Sequence, residues 1–285
     1  MSVWNDLSWV EGLRTPFLDF FFYNISLTGY PIFLFLFIAF GYFFWSPQRF
    51  SRVAMLLFIS AVINSFLKDF FQDPRPPADF MLDGGTGTSY GWPSGHAQIA
   101  VTLWGLLAYE LKNKFISIGV ITFILLVAFS RMYLGVHDLG DVFAGLLIGC
   151  FILLLWHYAI VHKIYEKFNK LSWFFILISF QIVIHMLYPA HEGHEVSNWL
   201  LGAMIGWFLG ASNMVIASNN LTKLLLSLIS TLAVFFTMIF LFELEGLVEL
   251  SGLLSIMYSY SLGLFFSVFV SWVIPRFWKL FNLAN

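Results

Sequence analysis

Nine apolar stretches constrain this chain more than any other feature, because each is long enough, or nearly so, to cross the hydrocarbon core of a bilayer. They lie at about residues 30–46, 53–70, 96–111, 115–130, 139–161, 172–188, 198–217, 224–243 and 252–274. Backbone amides need partners within lipid, and no stretch alternates as a strand would, so each is predicted to be a helix. We therefore expect an all-α, polytopic membrane helix bundle with about nine transmembrane helices.

The composition excludes a water-soluble fold. Hydrophobic residues make up 60% of the 285 residues and charged residues only 11%, and the mean hydropathy is +0.84. A soluble domain carries about 25% charged residues. The net charge is −2 and no basic run is present, so we expect no nucleic-acid partner. The expected surrounding is a lipid bilayer.

Residues 1–29 precede the first apolar stretch. Trp4, Trp9, Leu13 and Phe17 recur near helical spacing, with charged residues between them. This pattern predicts an amphipathic helix that lies in the membrane interface. The alternative is a distorted first span.

Polar residues concentrate in three short stretches, of which the first holds Lys68 and Arg75-Pro76. Arginine binds phosphate oxygens two at a time through its planar fork, whereas lysine acts as a point charge. Pro76 restricts the backbone just after Arg75. Charge is costly in a membrane protein, so these residues are candidates for a phosphate site.

The second stretch is Pro93-Ser94-Gly95-His96, immediately before an apolar helix. Free amides at a helix start favour anions, and Gly95 would let a phosphate approach the backbone closely. Ser94 could cap the helix or donate its hydroxyl, and His96 would lie on the first turn. The alternative is structural: Ser94 as an ordinary N-cap and His96 as an interfacial polar residue.

The third stretch contains Ser130-Arg131, His137 and Asp141. His137 and Asp141 are four residues apart and share a face if the next helix has already begun. The carboxylate would then accept from one ring nitrogen and leave the other free to attack phosphorus. Arg131, at the end of the preceding helix, returns to the same place. A His–Asp pair alone is more often a solvated pair at a helix start, but three such stretches on one membrane face favour catalysis.

Together the stretches match the patterns K-x6-R-P, P-S-G-H and S-R-x5-H-x3-D without a departure. Over about residues 16–160 the chain resembles the type 2 phosphatidic acid phosphatase (PAP2) superfamily. That superfamily also includes lipid phosphate phosphatases, polyprenyl pyrophosphate phosphatases, glucose-6-phosphatase and vanadium haloperoxidases. Beyond residue 160 no motif of the family is present.

The resemblance implies a role for each motif residue. His137 would be the nucleophile that forms a phosphohistidine, His96 would protonate the leaving oxygen and then activate water, and Asp141 would orient His137. The phosphate would be held by a larger set: Lys68, Arg75, Ser94, the Gly95 amide and Arg131. The resemblance also implies catalysis without a metal or other cofactor, and the residues gathered are cations rather than the clustered carboxylates that bind magnesium.

The basic residues predict which way the bundle faces. If the three stretches share one side, ten of the fourteen basic residues fall on the other: Arg49, Arg52, Lys112, Lys114, Lys163, Lys167, Lys170, Lys223, Arg276 and Lys279. Basic residues that flank spans stay in the cytoplasm. The motifs are therefore predicted to face the extracytoplasmic side, which is the periplasm in a bacterium and the lumen for an internal eukaryotic membrane. The short loops favour a bacterial inner membrane.

Other polar residues are interpreted as solvated. One loop is crowded with acidic residues and histidines, for which a metal site is the alternative: His191, Glu192, His194 and Glu195. The loop before Pro93 carries three carboxylates that either solvate it or shape headgroup choice, and we favour solvation: Asp73, Asp79 and Asp83.

Glycines four residues apart follow His137, at Gly145 and Gly149, and recur at Gly202, Gly206 and Gly210. The first interpretation is packing, because small residues let helices approach closely. A decayed internal repeat is the alternative.

The sequence therefore predicts an interfacial segment at residues 1–29, a PAP2-like catalytic core at residues 30–161 and a transmembrane extension of unknown role at residues 162–285. The predicted activity is hydrolysis of a lipid phosphate monoester or pyrophosphate. One alternative is a soluble-substrate phosphatase similar to glucose-6-phosphatase, and another is a transporter or scramblase that only binds lipid headgroups. The sequence specifies neither the lipid nor the oligomeric state.

Overall fold

The computed structural model of the chain describes residues 6–86, 89–187, 194–210, 220–248 and 252–281. These residues form helices joined by turns and one longer loop, and they contain no strand. The helices are α1 (Ser8–Glu11), α2 (Pro16–Leu27), α3 (Pro31–Phe40, continued by a π turn to Trp45), α4 (Pro47–Phe71), α5 (Gly95–Leu111), α6 (Lys114–Tyr133), α7 (Leu139–Val161), α8 (Lys170–Leu187), α9 (His194–Gly210), α10 (Asn220–Val248), α11 (Leu253–Val268, continued by a π turn to Val273) and α12 (Ile274–Leu280). The all-α prediction is confirmed for this part of the chain.

Five helical segments in the described ranges are long and apolar enough to cross a membrane: Pro47–Phe71, Lys114–Tyr133, Leu139–Val161, Leu221–Leu244 and Leu253–Leu280. Helices α2 and α3 would add a sixth if they form one broken span. Helices α5 and α9 coincide with predicted spans but have only 17 residues each. The chain is thus a multi-pass membrane protein, and the total of about nine spans stays a prediction.

The N-terminal segment forms two helices rather than one. Helix α2 turns Phe22 and Ser26, four residues apart, into the protein, and the Phe22 ring lies 4.6 Å from the ring of Tyr133 on α6. Thr15 caps α2 by accepting a hydrogen bond from the Leu18 amide. One face of the segment therefore packs on α6, and its position in the membrane interface stays a prediction.

The chain forms two compact units. The first contains residues 1–33, 60–172 and 182–193, and the second contains residues 34–59, 173–181 and 194–285. This grouping separates the chain differently from the three segments expected from the sequence, whose functional division stays a prediction.

Glycine rows bring helices together within each unit. In the first unit, a Cβ atom on Gly149 of α7 would lie 2.8 Å from the Gln98 carbonyl oxygen of α5. In the second unit, a Cβ atom on Gly206 of α9 would lie 2.5 Å from the Leu264 carbonyl oxygen of α11. Both rows lie at close helix contacts, which supports the packing interpretation.

Candidate active site

The three polar stretches meet at one end of four consecutive helices. Lys68 lies in the last turn of α4 and His96 in the first turn of α5. Arg131 lies in the last turn of α6, and Asp141 in the first turn of α7. His137 sits in the turn between those two helices. Because successive helices run in opposite directions, these ends coincide, and both imidazoles lie at the same end.

His137 and Asp141 form the pair expected from the sequence, but not along a helix face. The His137 Nδ1 atom lies 2.9 Å from Asp141 Oδ2, and both side chains are buried. Helix α7 begins only at Leu139, with Asp138 as its N-cap, so His137 precedes the helix. The assumption that the helix has already begun at His137 is wrong. Asp141 reaches back across the helix start and also accepts from the Asp138 amide, at 3.3 Å.

A capping box fixes the Asp141 carboxylate. The Asp138 side chain accepts a hydrogen bond from the Asp141 amide at 2.9 Å while the Asp141 side chain accepts from the Asp138 amide. This reciprocal arrangement satisfies two helix-start amides that otherwise lack partners. The carboxylate that contacts His137 is therefore held by the backbone as well as by the imidazole.

The second ring nitrogen of His137 faces a guanidinium. Arg75 Nη1 lies 3.3 Å from His137 Nε2. If Nδ1 donates its hydrogen to Asp141, Nε2 carries a lone pair that accepts from Arg75. Burial, together with the charges of Lys68, Arg75 and Arg131, holds the pKa of His137 well below its ordinary value. The ring is therefore neutral near pH 7.

Arg75 is fixed by the loop that follows it. Its Nε donates to the Ser89 carbonyl at 2.6 Å, its Nη2 to the Ser89 hydroxyl at 2.8 Å and its Nη1 to the Val136 carbonyl at 2.8 Å. Burial and the nearby Arg131 lower the pKa of Arg75 to about 10. That value still leaves the guanidinium charged at neutral pH.

Lys68 points into the same loop. Its ammonium donates to the carbonyl oxygens of Tyr90 and Gly91, the latter at 2.9 Å. A Cβ atom on Gly91 would lie 3.1 Å from Asp141 Oδ2, so a small residue is needed there. Lys68 and the carboxylate that contacts His137 are thereby brought to one loop.

Ser94 and His96 present polar atoms without partners among the described residues. The Ser94 side chain makes no capping hydrogen bond, and its buried hydroxyl oxygen has no partner, nor does the buried Nε2 of His96. Ser94 is thus the N-cap residue of α5, as the structural alternative expects, but its hydroxyl does not make the capping hydrogen bond. The His96 ring packs edge-on against Tyr30 at 4.8 Å, and a Cβ atom on Gly29 would lie 2.3 Å from it.

Arg131 is paired with a residue that was expected to be solvated. Its Nη1 lies 2.9 Å from Asp83 Oδ2, and the two side chains are only 1% and 3% exposed. The expectation of a solvated carboxylate at Asp83 is wrong, because the loop folds inward through a hydrogen bond from the Leu82 amide to the Leu134 carbonyl, at 2.9 Å. Asp79 is exposed and Asp73 only partly buried.

The sequence is similar to that of several characterised proteins, and the similarity identifies its family. Residues 49–165 match the PAP2 superfamily. A lipid A 4'-phosphatase of Porphyromonas gingivalis is 28% identical over 76% of this chain and 91% of its own length. A lipid A 4'-phosphatase of Bacteroides thetaiotaomicron is 30% identical over 58% of this chain and 79% of its own length. The chain belongs to the PAP2 superfamily.

PAP2 phosphatases are metal-independent hydrolases, so the chain is a phosphatase of this type. A PAP2 phosphatidylglycerolphosphate phosphatase from Bacillus subtilis with a solved structure is 26% identical, over 57% of this chain and 84% of that one, with a TM-score of 0.48. The likeness to the Porphyromonas relative covers more of the chain than residues 16–160, to which the resemblance seen in the sequence was confined.

All eight predicted site residues lie within the PAP2 match, but several residues that support them were missed. Asn64 on α4 donates to the Pro93 carbonyl at 3.2 Å and to Gln98 Oε1 at 3.0 Å, and Gln98 donates to the Ser60 carbonyl at 2.8 Å. This buried network ties the Pro93 turn to α4. The signal available in the sequence was an amide side chain in the middle of an apolar stretch, where polar groups are costly.

The weaker metal-site alternative cannot be placed. His191 and Glu192 lie outside the described residues, as do the side chains of His194 and Glu195. The glycines of the second row lie at a helix contact, and the alternative of a decayed internal repeat stays a prediction.

Proposed function

We propose that this PAP2 protein hydrolyses a lipid-borne phosphate monoester or pyrophosphate through a covalent phosphohistidine at His137. The observation that carries the proposal is the orientation of that imidazole. One ring nitrogen contacts Asp141 at 2.9 Å and the other lies 3.3 Å from Arg75, among the cations of the site. A nucleophile for phosphoryl transfer needs this combination of a fixed tautomer and a positive surrounding.

In the first proposed step the Nε2 lone pair of His137 attacks phosphorus and the bond to the leaving oxygen breaks. His96 donates a proton to that oxygen, so a monoester substrate leaves as a neutral alcohol and a pyrophosphate substrate leaves as the lipid monophosphate. In the second step His96 takes a proton from water, the resulting hydroxide attacks phosphorus, and the N–P bond breaks. For a monoester, the sum is one ester and one water giving one alcohol and one inorganic phosphate; for a pyrophosphate, the lipid monophosphate takes the place of the alcohol.

The phosphate is held in this proposal by Lys68, Arg75, Ser94, the Gly95 amide and Arg131. Three basic side chains, Lys68, Arg75 and Arg131, suit the three equatorial oxygens over which the transition-state charge is spread. Ser94 and Arg131 support the assignment because the Ser94 hydroxyl and Arg131 Nε are buried without partners among the described side chains. Such atoms are costly to keep unless a ligand engages them.

A lipid substrate is supported by the membrane spans and by the names of the relatives. Besides the two lipid A 4'-phosphatases, a phosphatidylglycerophosphatase B of Bacillus subtilis is 29% identical over half of this chain. We propose that the substrate is a phosphate carried by a membrane lipid, with lipid A as the first candidate to test.

The first experiment compares His137→Gln with His157→Gln in purified protein. His157 is an exposed histidine on α7 that lies 3.2 Å from the Tyr109 hydroxyl and outside the site. Phosphate release should be measured from lipid A, phosphatidic acid, phosphatidylglycerol phosphate, undecaprenyl pyrophosphate and glucose 6-phosphate. We expect His137→Gln to lose at least about 10³-fold in rate, as for removal of a nucleophile, and His157→Gln to keep wild-type rates.

A covalent intermediate can be tested separately. With ³²P-labelled substrate and a rapid quench, the wild type should carry acid-labile label that His137→Gln lacks. A variant that keeps its hydrolysis rate would overturn the assignment of the nucleophile. Activity on glucose 6-phosphate alone would establish the soluble-substrate alternative, and headgroup transport without hydrolysis would establish the transporter.

The proposed site faces the extracytoplasmic side, as the bias of basic residues suggests. In a Cys150→Ser background, Gly84→Cys places a thiol in the loop of the site, where a Cβ has open space, and Glu166→Cys places one in the exposed turn after α7. A membrane-impermeant thiol reagent added to spheroplasts should label Gly84→Cys only. Labelling of Glu166→Cys instead would reverse the proposed orientation.

A further inference from the structure

The guanidinium of Arg131 is held through its Nη1 atom. Its Nη1 donates to Asp83 Oδ2 at 2.9 Å and to the Ser26 hydroxyl of α2. Its Nε is buried and has no hydrogen-bond partner among the described residues. The guanidinium is a rigid plane, so fixing Nη1 also fixes the direction of the edge formed by Nε and Nη2.

Asp83 is itself anchored from two sides. The Tyr30 hydroxyl donates to Asp83 Oδ2 at 2.6 Å, and the Gly85 amide donates to Asp83 Oδ1 at 3.0 Å. Burial alone would raise the pKa of Asp83, but the hydrogen bonds from Tyr30 and Gly85 and the charge of Arg131 outweigh it and lower the pKa. The carboxylate is therefore ionised at neutral pH.

A carboxylate close to a phosphate site needs an explanation, because it repels a phosphate dianion and reduces the positive charge of the site. It does not simply satisfy an exposed arginine, since both side chains are buried. Its contact with Nη1 instead restricts the direction of the Arg131 guanidinium, whose Nε has no partner among the described residues. Orientation of that kind matters most where charge develops in a transition state.

We propose that Asp83, held by Tyr30, is a positioning residue that turns the Nε edge of Arg131 toward the transferred phosphate. The proposal rests on the phosphate-binding role of Arg131 given above. Asp83 touches no reacting atom and acts through Arg131 alone. Its loss should therefore reduce kcat more than it weakens substrate binding, because removing a negative charge also removes repulsion of the substrate.

The test compares Asp83→Asn with Asp79→Asn, which removes the same charge from an exposed position in the same loop. We expect Asp83→Asn to lower kcat by about 10- to 100-fold, as displacement of a catalytic group by about 1 Å does, with KM changed by less than about threefold. Asp79→Asn should leave both constants unchanged. A kcat for Asp83→Asn within about twofold of wild type overturns the proposal.

A double-mutant cycle separates positioning from a general structural effect. In an Arg131→Ala background, Asp83→Asn should have no further effect on the residual rate, because the residue it positions is absent. The same fold loss in both backgrounds would overturn the proposal. If His137→Gln loses hydrolysis while Asp83→Asn keeps the wild-type kcat, only the positioning role is rejected. If His137→Gln keeps its hydrolysis rate, the proposed phosphatase mechanism itself is rejected.

Tyr30→Phe keeps the test decisive if Asp83→Asn does not fold. It removes only the hydroxyl that contacts Asp83 Oδ2 and leaves the charge pair intact. We expect a smaller loss in kcat, about three- to tenfold, that also vanishes in the Arg131→Ala background. A wild-type kcat in folded Tyr30→Phe, or a loss that persists without Arg131, would contradict the proposal.

Discussion

A Cβ atom placed on Gly145 of α7 would lie 2.5 Å from the carbonyl oxygen of Ser94, at the start of α5. The Ser94 amide in turn donates to the Asp141 carbonyl at 3.0 Å. The helix start that carries His96 and the helix start that follows His137 are thus in direct backbone contact. The absence of a side chain at Gly145 allows these two helix starts to approach closely.

Gly145→Ala should therefore impair stability and activity together. The added methyl group meets backbone rather than a flexible side chain, so α5 and α7 must separate, at about 1–3 kcal/mol in the free energy of unfolding. We expect kcat/KM to fall by at least about tenfold. Gly119→Ala is the control, because an added Cβ there meets nothing within 4 Å and an exposed helical alanine stabilises by about 0.5–1 kcal/mol. Equal behaviour of the two variants in thermal unfolding and rate assays would contradict this account.

Asp141→Asn should slow formation of the phosphohistidine. The asparagine amide keeps the volume of the carboxylate, but it no longer stabilises the positive charge that the His137 ring gains as it attacks phosphorus, and it no longer enforces the tautomer of that ring. We therefore expect kcat to fall by about 10³- to 10⁴-fold. Asp138→Asn provides the comparison, since asparagine caps a helix as well as aspartate does. Its rate should stay within about threefold of wild type. Rapid-quench measurement of ³²P-labelled enzyme follows formation of the phosphohistidine directly. If Asp141→Asn formed labelled phosphoenzyme as fast as the wild type does, the orienting role of Asp141 would be excluded.

The pH dependence of kcat/KM should reflect the neutral state of His137. Because the pKa of His137 is held well below its ordinary value, its protonation should reduce the rate only well below pH 6.5. Among the neighbouring charges, that of Lys68 disfavours the His137 imidazolium most. Lys68→Met should therefore raise the pKa of His137 and move the acidic limb of the pH–rate profile to higher pH. The comparison uses the position of the limb rather than the rate, which Lys68→Met also lowers. A limb that stays in place, or moves to lower pH, would contradict the electrostatic explanation.

Ser94→Ala should separate activity from stability. The hydroxyl is buried without a partner among the described residues, so its removal costs no protein hydrogen bond and should leave the free energy of unfolding unchanged or slightly higher. Loss of one donor to the phosphate should lower kcat/KM by about 10²-fold. Ser117→Ala, which removes a hydroxyl that donates to the Asn113 carbonyl outside the site, should keep wild-type rates. A wild-type rate in Ser94→Ala would remove Ser94 from the phosphate-binding set.

The sequence predicted the parts of the site that depend on local order along the chain. Lys68 and Arg131 lie in the last turns of their helices and His96 lies in the first turn of one, as the apolar stretches indicate. The pairing of His137 with Asp141 was also expected, although it is made across the N-terminus of α7. The pattern Asp138-x-x-Asp141 is a capping-box signal, and it would have placed the helix start correctly.

Contacts between distant residues were not predictable in the same way. Asp83 is 48 residues from Arg131 and 53 from Tyr30, and no periodicity links them. Its loop contains several carboxylates, and only the folded chain distinguishes the buried one from exposed Asp79. The number of spans was also uncertain, because hydropathy does not show whether α2 and α3 form one broken span or two separate elements.

Two cations of the site already have carbonyl acceptors, since Lys68 donates to the carbonyls of Tyr90 and Gly91, and Arg75 to those of Ser89 and Val136. In the proposed mechanism, substrate must therefore exchange with these carbonyls at Lys68 and Arg75, whereas the Nε of Arg131, unpaired among the described residues, is free to meet it. When inorganic phosphate leaves, Lys68 and Arg75 can donate to the same carbonyls again, so neither cation is left without an acceptor. We expect this exchange to keep product inhibition weak and turnover unhindered even where phosphate is plentiful.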